Sequence, residues 1–335
     1  MTTLVQPKSM RVSVNGLELH YLDWGNAGAA PVVCVHGYTS SAEPFNGLAR
    51  HFHDRFHIVV PDVRGHGESA WSPDGAYQYR DQVSDLAGLV DQLGLTRFVL
   101  IGTSMGGIIA MAYAEAHADR LLGLVINDIG PDVEGGSQRI TRMVGARPEE
   151  FATLEDAMAY AEAHAERLLG LVINDIGPDV EGGSQRITRM VGARPEEFAT
   201  LEDAMAYRRE ISPVTASRPI GDQRELALGV LRQRPDGRWV WKMDPAYIQQ
   251  RVQHGAPPRP ALWPVLRSLP CPTVVVWGTE SDVLSGAQAA RMVGALPRGE
   301  LVTVPGVAHA PTLLEPVVLA ALEHFLGAVA RRTPA

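Results

Sequence analysis

Residues 97–110 read Arg97-Phe98-Val99-Leu100-Ile101-Gly102-Thr103-Ser104-Met105-Gly106-Gly107-Ile108-Ile109-Ala110. The stretch predicts a strand over Arg97–Ile101, a tight turn opening at Gly102 and a helix from Met105 to Ala118. At the junction stands Gly102-Thr103-Ser104-Met105-Gly106, the G-x-S-x-G pattern of a nucleophile elbow. Such an elbow holds its serine on a strained turn, and the small residues around it let the helix pass close to the strand. The helix N-terminus also favours negative charge developing beside the serine. As a bare pattern G-x-S-x-G is common, and a glycine-rich packing turn would share it. The strand before it and the helix after it make it specific.

The same alternation extends to both sides. Asn15-Gly16, between Arg11–Val14 and Leu17–Leu22, is a strong hairpin signal. Pro31–Val35 and Phe56–Val60 are short apolar runs, with helical spacing over Ser41–Phe52 and again over Tyr79–Leu93. Leu121–Ile126 predicts another strand. The rhythm fades from Gly130 to Pro260, where only short helical pieces such as Leu154–Tyr160 stand out. It returns as helix Pro260–Leu269, strand Thr273–Trp277, helix Ala287–Leu296, strand Leu301–Val304 and helix Pro316–Ala330. Continuous apolar strands alternating with helices imply a parallel sheet covered on both faces. The expected domains are therefore a core of residues 1–130 and 260–335, interrupted by a mostly helical insertion of residues 131–259.

Part of the insertion is a duplication. Ala114–Tyr160 recurs as Ala161–Tyr207, 47 residues differing only at Asp119 against Glu166. Solenoids stack about three or more repeats and end in atypical ones, and two interior copies do not fit that pattern. The 335 residues less one copy leave 288. Two identical strand sequences, Leu121–Ile126 and Leu168–Ile173, compete for one place in the sheet. Copy one should take it, because its helix runs straight on from Ser104 and the loop to its strand is short. Across the junction of the two copies, Leu154–Arg167 is expected as one continuous helix of the insertion.

Composition excludes several classes. The chain has 335 residues, 45% hydrophobic and 20% charged, enough to bury a core without disulfide or metal support. Acidic residues number 38 and basic ones 30, a net charge of −8, which disfavours nucleic acid as a partner. The two cysteines, Cys34 and Cys271, form neither a disulfide framework nor a zinc ribbon. No leader-like apolar segment opens the sequence and no stretch of about 18 apolar residues occurs. A cytoplasmic protein, off the membrane, is expected; a homo-oligomer remains open.

A serine nucleophile needs a base, and the base needs a carboxylate to orient it. Of eleven histidines, His309 lies in a loop directly after the last predicted strand, where open α/β sheets bind ligands. For the acid, Asp282 in Gly278-Thr279-Glu280-Ser281-Asp282 is preferred, since the chain order Ser104, Asp282, His309 suits this arrangement. Glu280 is an alternative, as is Asp128 after Leu121–Ile126, or its copy Asp175. The oxyanion needs two backbone donors, expected from the N–H of Met105 and of Tyr38 in the His36-Gly37-Tyr38 loop. The Tyr38 side chain either lines the pocket or simply packs. Trp239, Trp241, Met243 and Tyr247 form either an apolar roof over the substrate or ordinary packing.

His36-Gly37, Pro61-Asp62-Val63-Arg64-Gly65-His66-Gly67-Glu68-Ser69, Gly102–Gly107, Ser281-Asp282 and His309-Ala310-Pro311 together resemble the α/β-hydrolase superfamily. The resemblance runs from about residue 10 to 330, apart from the second repeat copy. It implies an α/β-hydrolase fold: a mostly parallel eight-stranded sheet, helices on both faces and a helical cap inserted after strand 6. Within the superfamily the chain looks most like small serine esterases, enol-lactonases and carbon–carbon bond hydrolases that use no cofactor and no metal. Relatives with an aspartate nucleophile, the epoxide hydrolases and haloalkane dehalogenases, are disfavoured by Ser104. Asp62, Arg64 and His66 belong to a shared loop, read here as structural, although Arg64 could hold a substrate carboxylate.

The expected activity is cleavage of a small carboxylic ester or lactone through an acyl-enzyme on Ser104. Hydrolysis of a vinylogous diketone is an alternative, although relatives that do this often carry asparagine where this chain has Thr103. Cofactor-free perhydrolysis uses the same triad. A binding protein with a blocked site is the non-enzyme alternative, and the intact serine, acid and histidine set weighs against it.

Overall fold

Asn15 and Gly16 both hold positive φ, 51° and 77°, so the chain reverses within two residues. That turn pairs strand β1 (Lys8–Val14) antiparallel with β2 (Leu17–Asp23). The computed structural model describes residues 5–132, 192–211 and 219–331. The elements then alternate: β3 (Pro31–Val35), α1 (Asn46–Phe52), β4 (His57–Pro61), α2 (Tyr79–Gln92), β5 (Phe98–Thr103), α3 (Met105–His117) and β6 (Leu121–Asn127).

Between residues 192 and 254 lie β7 (Glu197–Phe198), α4 (Leu201–Ile211), α5 (Ile220–Val230), β8 (Leu231–Gln233), β9 (Trp239–Trp241) and α6 (Pro245–His254). The alternation resumes with α7 (Leu262–Ser268), β10 (Thr273–Gly278), α8 (Gly286–Ala295), β11 (Gly299–Val304) and α9 (Pro316–Ala330).

Eight strands form one sheet in the order β1-β2-β4-β3-β5-β6-β10-β11. Only the β1–β2 and β2–β4 pairs are antiparallel; every pair from β4 to β11 is parallel. Successive residues of one strand serve opposite faces, as the pleat requires. Val33 and Val35 join one buried cluster with Leu86, Ile109, Leu266 and Met292, from helices α2, α3, α7 and α8. Val32 and Cys34 join the other, with Phe52 of α1 and Leu322 and Phe325 of α9. The sheet thus buries both faces, which is why its strands read as continuous apolar runs.

The expected place of the first repeat copy holds: Leu121–Asn127 lies between β5 and β10, every residue buried. The segments 154–167 and 168–173 fall outside the described residues. Copy two supplies β7 and most of α4 instead. Its first described residue, 192, corresponds to 145 of copy one, whose description ends at 132.

Beside its helices, the described part of the insertion carries a small sheet that the sequence reading did not expect. Strands β7, β9 and β8 form a three-stranded antiparallel sheet. They pack with α4 and α5 around Phe198, Leu201, Met205, Ala227 and Leu231. Strands of two or three residues carry no readable period. The turn Pro235-Asp236-Gly237 between β8 and β9, with Gly237 at φ 86°, is the signal the sequence did offer. Among the described residues no helix is long and apolar enough to cross a membrane.

Candidate active site

Ser104 sits between β5 and α3 at φ 53°, ψ −117°, a backbone conformation that costs free energy and persists only where the surroundings impose it. Its N–H donates to the Asn127 carbonyl at 3.0 Å, and its own carbonyl accepts from Gly107 and Ile108. The flanking glycines have a steric cause. A Cβ on Gly102 would lie 2.3 Å from the Gly106 carbonyl oxygen, and one on Gly106 only 2.1 Å from the carbonyl oxygen of Val35. A Cβ on Gly37 would lie 3.4 Å from the Ser104 Cβ. The loop after β3 and the elbow after β5 are therefore interlocked, with residues 36–38 against the serine.

His309 closes on this point from the loop after β11. Its Nε2 is 2.8 Å from Ser104 Oγ, and its Nδ1 is 2.8 Å from Asp128 Oδ2. A carboxylate only accepts, so Nδ1 carries the proton and Nε2 accepts from the serine hydroxyl. Asp128 is fully buried and sits at φ 55°, so the chain leaving β6 turns sharply there. Its other oxygen accepts the N–H of Gly278 at 3.1 Å, which satisfies both carboxylate oxygens.

Against the expectation from sequence, Asp128 and not Asp282 is bonded to His309, and Asp175 lies outside the described residues. The reason is local. The turn after β10 closes on itself, with Ser281 N–H donating to the Gly278 carbonyl and Ser281 Oγ accepting from Val283 and Leu284. The backbone of Val307 and Ala308 fills the space over Gly278. Asp282 is left exposed, and the Glu280 N–H is bonded to the Val307 carbonyl.

Asn127 was not singled out from sequence. Its buried side-chain amide donates to Thr103 Oγ1 at 3.1 Å and to the Pro311 carbonyl at 2.9 Å. One residue thus ties the strand end before Ser104 to the loop that carries His309. A cavity of about 110 Å³ opens beside this junction, between Gly37, Ser40, Phe45, Thr103 and Pro311.

The Pro61–Ser69 motif takes up its structural role. Asp62 is fully buried; its Oδ2 accepts from His20 Nδ1 at 2.7 Å and from the Glu68 N–H, and its Oδ1 from the Ala42 N–H. Burial pushes this carboxyl up, but its bond to His20 and the nearby His36 bring it below its usual value on balance. His36 accepts the Val63 N–H at Nε2 and so donates from Nδ1 to the Gly37 carbonyl. His66 Nε2 bonds the Tyr38 carbonyl. Arg64 is spent on Asp85, with Nε–Oδ2 at 2.5 Å and a second nitrogen on Oδ1 at 2.6 Å. With Nη1 on the Ala76 carbonyl, all three of its nitrogens are engaged within the protein.

Two of these groups dictate a pH response. Burial holds His36 below its ordinary range and His66 at about 4, although the Arg64 and Tyr38 carbonyls pull His66 the other way. Below about pH 6.5 the unfolded chain gains protons that the fold refuses. Stability is therefore full above pH 6.5 and falls toward pH 4. His66 accounts for at most about 3 kcal/mol of the loss. A melting temperature flat from pH 7.5 to 4.5, or a slope unchanged in His66→Gln, would refute this.

The Tyr38 ring is buried, edge-on to Tyr247 at 5.0 Å and under the Arg251 guanidinium at 4.4 Å. Tyr247 is fully buried, stacks on Tyr77 at 4.3 Å and lies 3.5 Å from Met105 Sδ through its hydroxyl, which also accepts from Gln82. Trp241 receives the Arg194 guanidinium on its face at 4.5 Å, and Trp239 packs on the small cluster of the insertion. Of the expected roof, Tyr247 reaches the elbow itself. Among the described residues no three His, Cys, Asp or Glu side chains gather as metal ligands.

Comparison with known proteins agrees with this architecture. Residues 30–316 match the family described as alpha/beta hydrolase fold. A 3-hydroxybutyrate-oligomer hydrolase of Cupriavidus necator is 29% identical over 329 residues, spanning 95% of this chain and 96% of that protein. An sn-1-specific diacylglycerol lipase of Mus musculus is 41% identical over 117 residues, 34% of this chain and 37% of that protein. The crystal structure of an alpha/beta hydrolase from Novosphingobium aromaticivorans superposes with a TM-score of 0.73 at 29% identity, covering 98% of this chain and 99% of that one.

Proposed function

The chain belongs to the alpha/beta hydrolase fold family, and on that premise we propose that it is a serine hydrolase cleaving a small carboxylic ester or lactone. One observation carries the proposal: Ser104 Oγ, His309 Nε2, His309 Nδ1 and Asp128 Oδ2 form a continuous chain with 2.8 Å links at both ends of the imidazole. That is the geometry by which a weak hydroxyl nucleophile is activated.

In this reading Ser104 Oγ attacks the carbonyl carbon and its proton passes to His309 Nε2. The N–H groups of Tyr38 and Met105 hold the oxyanion, the second helped by its place at the start of α3. The C–O bond to the leaving alcohol breaks as His309 returns the proton to it. Water, deprotonated by His309, then attacks the acyl-enzyme and the carboxylic acid leaves with Ser104 restored. Asp128 keeps Nδ1 protonated and stabilises the imidazolium formed in each half-reaction. Residues 131–259 are read as the cap, with Tyr247 and Trp241 facing the acyl group. Because the Cupriavidus necator relative is named for 3-hydroxybutyrate oligomers and aligns over nearly its whole length, oligoesters of short hydroxy acids are the first substrates to try.

Intact mass after treatment with a fluorophosphonate tests the reading, because that reagent reports a serine activated by its base and oxyanion donors. One adduct is expected on the native chain and none on Ser104→Ala. No adduct on a folded native chain would overturn the proposal.

A further inference from the structure

Arg194, like Arg208, meets no carboxylate among the described residues, and it lines a cleft that also includes Thr39 and Ser40. Arg50, Arg55, Arg64 and Arg120 each meet a carboxylate within 2.7 Å. Arg194 is half-buried, and its guanidinium lies on the face of Trp241. A small cleft of about 10 Å³, room for about one water, separates Arg194 and Trp241 from Thr39, Ser40 and Gly67. Thr39 follows directly on Tyr38, whose ring is covered by the Arg251 guanidinium. Burial lowers Arg194 to about 10, with Tyr38 and Tyr207 near enough to act on it, so it stays charged at neutral pH. A desolvated guanidinium without an anion is costly, and aromatic stacking offsets only part of that cost. This positive site lies in a chain of net charge −8, so it is not a product of overall composition.

Accepting the serine-hydrolase reading, on which this inference rests, we propose that the substrate carries a free carboxylate and that Arg194, in the cleft beside the 36–39 loop, binds it. Arginine suits the task, since its planar fork meets a carboxylate through two parallel hydrogen bonds. Thr39 and Ser40 line the same cleft. The role that the sequence left open for Arg64 thus passes to Arg194, which no local pattern marks.

A matched pair of esters tests this: mono-p-nitrophenyl glutarate, which is anionic, and p-nitrophenyl pentanoate, its neutral counterpart of equal acyl length. The native enzyme should favour the anionic ester. In Arg194→Gln the ratio of kcat/KM, anionic over neutral, should fall about 10- to 100-fold, with part of the ratio kept in Arg194→Lys. Free glutarate should compete with the neutral ester on the native enzyme, less so as salt is raised. That experiment needs no variant and decides the matter if Arg194→Gln does not fold. An unchanged ratio in folded Arg194→Gln would overturn the inference. So would a native enzyme that prefers the neutral ester and ignores glutarate. The two proposals fail separately. Turnover of the neutral ester with a Ser104 adduct keeps the hydrolase reading whatever Arg194 does, and loss of both removes that reading itself.

Discussion

Asp128→Asn should lower kcat/KM by about four powers of ten, while Asp282→Asn leaves it within about twofold. Both aspartates follow a strand of the parallel sheet, and both were candidates from sequence. Only Asp128 is bonded to His309, at 2.8 Å from Nδ1, with its second oxygen on the Gly278 N–H. The amide that replaces it has nearly the same shape and still accepts that N–H, so the fold should survive. Its NH2 facing Nδ1 would instead select the tautomer that places the proton on Nε2. His309 would then donate toward Ser104 and no longer accept its proton. Asp282 is exposed on a turn that Ser281 closes. The measurement is kcat/KM for each variant beside its melting temperature. A collapse of activity in Asp282→Asn with Asp128→Asn near native would show that the acid had been misassigned.

How far this site is legible in the sequence depends on the reach of each constraint. Ser104 is encoded by its immediate neighbours, because Gly102 and Gly106 are required within two residues of it. His309 is placed by following the last strand of the alternation. The acid is a longer-range matter. Asp128 and Asp282 each follow a strand, and adjacent places in the sheet, β6 beside β10, make both plausible. The choice between them is made by the Val307–Ala308 backbone packed over Gly278 and by the turn at Asp128, contacts between segments more than 25 residues apart. The small sheet of the insertion escaped for a different reason: its strands are too short to show a period, and only Gly237 marks the turn. Arg194 lies far along the chain from Tyr38, and nothing near it in sequence announces the cleft. The α/β core is built from elements that repeat a local rule, and most lie within two residues of their expected bounds, although β1 begins at Lys8 and not Arg11 and α1 at Asn46 and not Ser41.

Gly106→Ala should be the most disruptive single methyl group in the molecule's centre. The added carbon would stand 2.1 Å from the Val35 carbonyl oxygen, 2.6 Å from its carbon and 2.8 Å from the His36 carbonyl oxygen. All three are backbone atoms at the end of a central strand, so no side-chain rotation relieves the clash. Relief requires either α3 to lift from the sheet or the 36–38 loop to move away from Ser104. The first breaks packing of Ile108, Ile109 and Met111 in the core, and the second moves the Tyr38 N–H from the place proposed for it as an oxyanion donor. We expect destabilisation of about 4 kcal/mol or more, a fall in melting temperature of about 10 °C or more. Any folded remainder should lose fluorophosphonate labelling of Ser104. Gly28→Ala is the control, since a Cβ there meets nothing within 4 Å, and it should melt within about 2 °C of the native chain. A Gly106→Ala protein as stable and as reactive as that control would mean that the elbow and the oxyanion loop are not locked together as the packing implies. The strained serine would then owe its geometry to something other than the close approach of these two backbones.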